Sequence, residues 1–261
     1  AEEFLFGADD DDDEALLLLL GAAAVVAASG SACTGECLEA QDGSLVSFSG
    51  NGVTLEGRVY KPAGAGPFPT IVFLHGCSGL YTGSNGALGS QFTFWGERVR
   101  DEDGYAALFV DSFTPRGIDS VCSNSSLLNE AVDRVLDAYA GLTYLRSQPY
   151  VNSNAIAVVG WSNGGSTALS AAARDGNPAG SAVFGGFDFS VAVYPGCGLQ
   201  STYGSDYDYT FAGEEDQAFY IPAIPTYIFA GSADTTTPPS PRCENITERA
   251  QNLGASAATG N

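Results

Sequence analysis

The sequence predicts an α/β domain: a mostly parallel sheet with helices on both faces. Three observations carry this. Short apolar runs (residues 70–74, 105–111, 155–159, 189–194 and 224–230) alternate with stretches of helical period. One of them, 155–159, leads at once through Gly160-Trp161-Ser162-Asn163-Gly164 into an Ala-rich stretch, 166–174, that reads as a helix. His75, Arg116, Ser162, Cys197 and Asp234 each follow an expected strand. In such sheets ligands bind at the carboxyl ends of the strands.

In chain order, residues 45–48 and 53–60 read as two strands. Ser49-Gly50-Asn51-Gly52 is the hairpin turn between them. Residues 61–69, rich in Pro and Gly, form a loop. The strand 70–74 ends in His75-Gly76-Cys77-Ser78-Gly79, and 81–90 is a Gly-rich loop. A helix is expected over 92–100, then the strand 105–111 and the loop 112–117. Residues 126–147 carry apolar side chains at helical spacing (Leu128, Val132, Val135, Tyr139, Leu142), with Ser126 as N-cap. The strand and helix around Ser162 follow. Residues 200–220 are polar, acidic and Tyr-rich, an excursion over the surface. Tyr203, Tyr207 and Tyr209 there either line a cleft or belong to a solvated loop. The last expected helix is 241–253.

At 261 residues the chain is long enough for one domain with a full core. We divide it at residue 32. Residues 1–32 hold an acidic block, expected to be disordered, and a signal-like apolar run over 15–28 that is too short for a comfortable membrane span. Residues 33–261 form the α/β domain. The net charge is −21. Residues 1–14 hold eight of the 31 acids; the other 23, against ten Lys and Arg, leave −13 on the rest. That balance excludes nucleic acid and anionic membrane surfaces as partners. The chain contains no methionine, so its first residue is not expected to be a translation start. The apolar run points to a secreted or periplasmic protein, with a cytoplasmic one as the alternative; its acidic flank departs from the basic one a signal peptide carries. Beyond that run no membrane contact is expected.

Strand, G-x-S-x-G and helix together make a nucleophile elbow. The turn is so tight that side chains two residues either side of the serine would collide, which calls for Gly160 and Gly164. It holds the Ser162 hydroxyl above the sheet at a helix N-terminus, where backbone N–H groups favour developing negative charge. A serine hydroxyl needs a base to become a nucleophile. The oxyanion formed needs two donors, expected from the backbone N–H of Asn163 and of Cys77. Asp234 follows a strand and comes after the serine, the place of a triad acid. Trp161 and Arg116 are the expected substrate contacts. Arg116 either binds a substrate carboxylate bidentately or pairs with Asp111 or Asp119.

The single histidine, His75, precedes the serine and sits in the loop expected to supply an oxyanion donor. Its expected role is to hold that loop by hydrogen bonds. The chain stops 27 residues past Asp234. We therefore expect the triad histidine to lie beyond Asn261 and the domain to be incomplete at its C-terminus.

Phe68-Pro-Thr-Ile-Val-Phe-Leu-His-Gly-Cys-Ser-Gly-Leu80, Gly160-Trp-Ser-Asn-Gly-Gly165 and Gly231-Ser-Ala-Asp234 resemble the dienelactone hydrolase family, from about residue 45 to the end. The resemblance implies an α/β-hydrolase fold and hydrolysis of small esters or lactones through an acyl-enzyme. It implies no metal or other cofactor and a small-molecule substrate. Carried onto this chain, it makes Ser162 the nucleophile, Asp234 the triad acid, and Cys77 and Asn163 the oxyanion donors. Two positions depart from the family. Ser162 stands where true dienelactone hydrolases carry cysteine, and Gly76 where they carry glutamate. A generic carboxylesterase is therefore expected. The elbow also resembles that of prolyl-oligopeptidase-type serine peptidases, the alternative enzyme. A non-catalytic binding protein of the same fold, without a triad base, is the alternative outside enzymes.

The six cysteines include no C-x-x-C pair. In an oxidising compartment Cys77–Cys122 and Cys197–Cys243 are the expected pairs, since each joins segments at one edge of the sheet. Sequence alone leaves the connectivity open.

Overall fold

A computed structural model describes residues 43–82, 86–174, 179, 186–197, 220–239 and 242–258. The apolar run 15–28, Cys33, Cys37, Tyr203, Tyr207 and Tyr209 lie outside the described residues; Tyr220, which ends the 200–220 stretch, is described and buried.

The expected architecture is present. Strands β1 (Ser44–Ser49), β2 (Thr54–Tyr60), β3 (Phe68–Leu74), β6 (Ala106–Asp111), β7 (Val151–Trp161), β8 (Phe189–Val193) and β9 (Thr226–Phe229) form one sheet in the order β1-β2-β6-β3-β7-β8-β9. β1 and β2 are an antiparallel hairpin, and β2 lies antiparallel to β6. From β6 to β9 every pairing is parallel. The stretch 81–90, expected as loop, contains a two-stranded ribbon, β4 (Tyr81–Thr82) and β5 (Ala87–Leu88). Among the described residues the α-helices are α1 (Ser90–Asp101), α2 (Asp133–Arg146), α3 (Asn163–Ala172) and α4 (Arg242–Ala258).

The central strands are apolar along their whole length because both faces are covered. Alternation then sorts their side chains. Val72, Leu74, Leu108, Val110, Ile156 and Val158 pack with Val135, Ala138, Leu142 and Leu145 of α2 and Ala168 and Ala171 of α3. Ile71, Phe73, Phe109, Val159 and Trp161 point the other way, against Phe92, Trp95 and Val99 of α1. A third cluster joins Leu169, Ala192 and Ile228 to Ile246 and Ala250 of α4.

α2 begins six residues later than expected, with Val132 rather than Ser126 at its N-cap position. Asn129 accepts from the N–H groups of Ala131 and Val132 through its side chain. This local turn outcompetes the helix until Asp133. Residues 125–127 make a separate 3-10 turn capped by Asn124 rather than Ser126.

Both expected disulfides are formed, Cys77–Cys122 and Cys197–Cys243. The first joins the loops after β3 and β6; the second joins the segment after β8 to α4. Among the described residues no helix is long and apolar enough to cross a membrane.

Denatured without reductant, the chain should titrate no more than two thiols, those of Cys33 and Cys37; four would show that at least one pair does not form, and six that neither does. Replacing Cys197 and Cys243 together by Ser should cost roughly 2–4 kcal/mol in a denaturant melt, as expected for opening a loop of this size.

Candidate active site

The parallel strands deliver their carboxyl ends to one edge. At its centre, β7 ends in Trp161 and Ser162 turns the chain into α3. Ser162 has φ +54° and ψ −118°, in the left-handed region that non-glycine residues avoid. The neighbours enforce it. A Cβ on Gly160 would lie 2.0 Å from the Gly164 carbonyl oxygen, and one on Gly164 would lie 2.2 Å from the Leu74 oxygen. No side chain fits either place, so the elbow packs backbone against backbone. The Ser162 N–H donates to Val193 O at 2.9 Å, and its carbonyl accepts the first α3 bond, from Ser166 N–H at 3.0 Å. Ser162 is thus the N-cap of α3, half-buried, with its hydroxyl at a helix N-terminus.

Beside it lies the loop after β3. A Cβ built on Gly76 would stand 3.6 Å from the Ser162 Cβ. Three kinds of bond hold this loop. Cys77 is covalently tied to Cys122. Its carbonyl accepts from Val121 N–H at 2.9 Å and from the Ser120 hydroxyl at 3.1 Å. His75, 1 % exposed, donates from Nδ1–H to Gly76 O at 2.8 Å and accepts at Nε2 from Ser112 N–H at 3.4 Å. These partners fix the tautomer, since a carbonyl can only accept and an amide N–H can only donate. The imidazole also packs edge-on to the Phe113 ring at 4.4 Å. Burial first, and then the charge of Arg134, push its pKa well below the ordinary histidine value. His75 is therefore a neutral tether of the loop with both ring nitrogens engaged.

The Asn163 side chain is held from α2 and the segment before it. Its Oδ1 accepts from Arg134 Nη1–H, and its Nδ2–H donates to Glu130 Oε2 at 3.0 Å. Its backbone N–H lies in the first turn of α3, where N–H groups have no partner within the helix.

Asp234 lies on the loop after β9. Its Oδ1 accepts from the N–H groups of Thr236 (2.7 Å) and Thr237 (2.9 Å), and its Oδ2 from the Thr237 hydroxyl (2.6 Å). The Thr237 hydroxyl, followed by the Thr237 N–H, holds this carboxyl below its ordinary pKa. All its described hydrogen bonds are with its own loop. His75 faces the loops after β3 and β6 instead, so Ser162, His75 and Asp234 do not assemble into a triad.

The sequence model of the dienelactone hydrolase family matches residues 55–257. The chain belongs to that family. Among solved structures it is similar to esterase 2 of Thermogutta terrifontis phosphoramylated by tabun, at 20% identity and a TM-score of 0.58, over 85% of this chain and 83% of that one. It is also similar to an acylaminoacyl peptidase in complex with Z-Gly-Gly-Phe-chloromethyl ketone, at 18% identity and a TM-score of 0.55. That match covers 81% of this chain but 35% of the peptidase. At these identities the likeness is one of fold, the α/β-hydrolase fold. Family and fold together make this chain a member of a hydrolase lineage.

Within this dienelactone hydrolase fold, two expected substrate contacts are placed differently. Arg116 forms a bidentate ion pair with Asp137 of α2, at 2.8 and 2.9 Å, and donates to Ser112 O at 2.7 Å. Its planar fork is filled by a protein carboxylate, neither Asp111 nor Asp119, and is not open to substrate. Trp161 is 3% exposed and stacks on Phe73 at 5.3 Å, with Phe92 and Trp95 close by. It belongs to the core beneath the sheet, because the α1 face covers it. Arg134, Glu130 and Tyr194 are the neighbours that the sequence reading missed. Tyr194, directly after β8, shares with Ser162 a positive φ, +38°. Among the described residues no group of His, Cys, Asp and Glu could hold a metal ion.

The buried imidazole has a consequence for stability. Unfolded, His75 takes up a proton near pH 6.5; folded, it resists protonation. As pH falls below about 6.5 the unfolded state gains protons that the folded state does not, and stability drops. The melting temperature should therefore fall between pH 7 and pH 5 more steeply for the wild type than for His75→Asn, whose carboxamide does not titrate. Equal slopes would show that His75 is protonated in the fold.

Proposed function

We propose that this protein is a serine hydrolase that cleaves small carboxylic esters or lactones through an acyl-enzyme on Ser162. The observation that carries the reading is the Ser162 backbone at φ +54° on the N-terminus of α3, flanked by glycines that leave no room for a Cβ. A strained serine at a helix N-terminus, against a second loop, is a costly arrangement with one evident use. In the proposed reaction Ser162 Oγ adds to the substrate carbonyl as its proton passes to a base. The resulting oxyanion is held by the N–H groups of Cys77 and Asn163, and the alcohol leaves with a proton. Water then releases the acid from the serine. Asp234 is assigned to orient the base. His75 is not that base, since both of its ring nitrogens are engaged. The two disulfides support a secreted or periplasmic setting, where such bonds persist.

A second reading is favoured by the same engagement of His75: a binding protein of this fold that takes up esters without turning them over. The two readings separate on p-nitrophenyl acetate and butyrate. The natural protein should hydrolyse them, and Ser162→Ala should lower kcat/KM at least about a thousandfold with the fold intact. Asp234→Asn should lower it on the order of 10³–10⁴-fold; a loss below tenfold would assign the acid to another carboxylate. Hydrolysis retained by Ser162→Ala would remove Ser162 from the mechanism. Absence of hydrolysis and of Ser162 labelling by a fluorophosphonate in the natural protein would establish the binding reading.

A further inference from the structure

We propose that Arg134 is a positioning residue of the oxyanion hole, one guanidinium that ties together the two backbone segments carrying the N–H groups of Cys77 and Asn163. The proposal rests on the hydrolase reading of Ser162 and goes beyond it in naming what sets the donors.

Arg134 lies in the first turn of α2 and is fully buried. Its Nη2–H donates to the carbonyl of His75 at 2.8 Å, two residues before Cys77. Its Nη1–H donates to Asn163 Oδ1, on the residue after the nucleophile. Its guanidinium lies 5.1 Å over the Phe113 ring, the same ring that packs on His75. Glu130 takes the other end of the Asn163 carboxamide. The pattern explains asparagine at that place in the elbow, because a carboxamide can accept from the arginine and donate to the glutamate at once.

A buried cation is an expensive way to fill a core. An apolar side chain of similar volume is often as stable or more so. Burial lowers the Arg134 pKa to about 10, and the carboxylates of Asp137, Glu130 and Asp111 oppose the shift, so it stays charged at neutral pH. What the charge achieves here is geometric. The His75 carbonyl lies just past the last residue of β3, where no strand partner remains to fix it. Asn163 opens α3, where the helix has not yet fixed its own first turn. Oxyanion donors lose much of their effect when displaced by fractions of an ångström. A planar fork anchored on a helix fixes the spacing between both segments in one group.

The test uses Arg134→Met, Arg134→Lys and Asn163→Ala in the natural protein, each first checked for a cooperative melt. We expect Arg134→Met to lower kcat by 10- to 100-fold with KM within threefold of wild type. Affinity for a phenylboronic acid, which forms a tetrahedral adduct on the serine, should fall in parallel with kcat/KM. Arg134→Lys, able to reach one acceptor, should lie between. Should Arg134→Met fail to fold, Asn163→Ala carries the same expectation with the His75 bond intact. A folded variant with kcat within twofold of wild type overturns the proposal. So does a lost kcat with unchanged boronate affinity, which would locate the damage in proton transfer. Hydrogen exchange separates this from the hydrolase reading: peptides covering 75–79 and 162–166 should exchange faster in Arg134→Met whether or not turnover is seen. Unchanged exchange overturns the tie; a wild type that neither hydrolyses esters nor binds the boronate overturns the hydrolase reading.

Discussion

The contact on which the rest of this structure depends is the passage of α3 over the end of β7 with no side chain between them. Gly160 faces the Gly164 backbone, and Gly164 faces the carbonyls of Leu74 and His75. This closeness forces the turn into one residue and pushes Ser162 to positive φ. That strain persists only because the surroundings over-determine it. The Ser162 N–H is fixed by β8 and its carbonyl by α3. Both neighbours are themselves locked, β8 between β7 and β9 and α3 in the core with Leu169 and Ala168.

α2 extends the same logic to the loops. Arg134 and Asp137 stand three residues apart on the helix and are both fully buried. One binds the carbonyl at the end of β3; the other binds Arg116 in the loop after β6. Adjacent strand-end loops are thus clamped by adjacent charges of one helix, while the Cys77–Cys122 bond joins the same two loops covalently. His75 adds a neutral link between them, through Gly76 O and Ser112 N–H. An imidazole charged here would have to coexist with Arg134. Its neutrality is therefore part of the same balance and not an independent feature.

Most of the sheet was legible because its central strands are continuous apolar runs bounded by Gly and Pro, and because a G-x-S-x-G between strand and helix has few other uses. Placing four cysteines at one edge made these disulfide pairs the expected ones, and the connectivity itself came from the structure. What escaped was decided by partners far away in sequence. Arg116 has carboxylates nearby at Asp111 and Asp119, yet it pairs with Asp137, 21 residues on, which α2 presents to it. Trp161 looked available beside the serine. Alternation puts it on the face of Val159, and that face is closed by Phe92 and Trp95 of α1. The late start of α2 was hidden in one side chain, Asn129, whose turn competes with the helix. Arg134 did leave a signal. It lies on the helix beside Ala138, Gly141 and Leu145, off the stripe of Val135, Tyr139 and Leu142, and both flanks turn out to be buried, so a charge there has to be explained by a partner.

These placements also bear on why the loop after β3 carries a cysteine beside its glycines. Gly76 brings backbone against the serine, and Gly79, at φ +90°, turns the loop against the Asp119 carbonyl and the Phe113 ring. The same freedom would let the loop adopt many conformations in which no N–H points toward the serine. Cys77 removes most of them at the residue whose N–H is assigned to the oxyanion. Its sulfur is bonded to Cys122 and its carbonyl accepts from Val121 and Ser120, so three consecutive residues of the loop after β6 converge on it. Glycine supplies the access, and the crosslink, the imidazole and the guanidinium take back the entropy that glycine would otherwise leave in the loop. A loop built this way is positioned before any ligand arrives, which is the condition under which backbone dipoles stabilise a developing charge without reorganising.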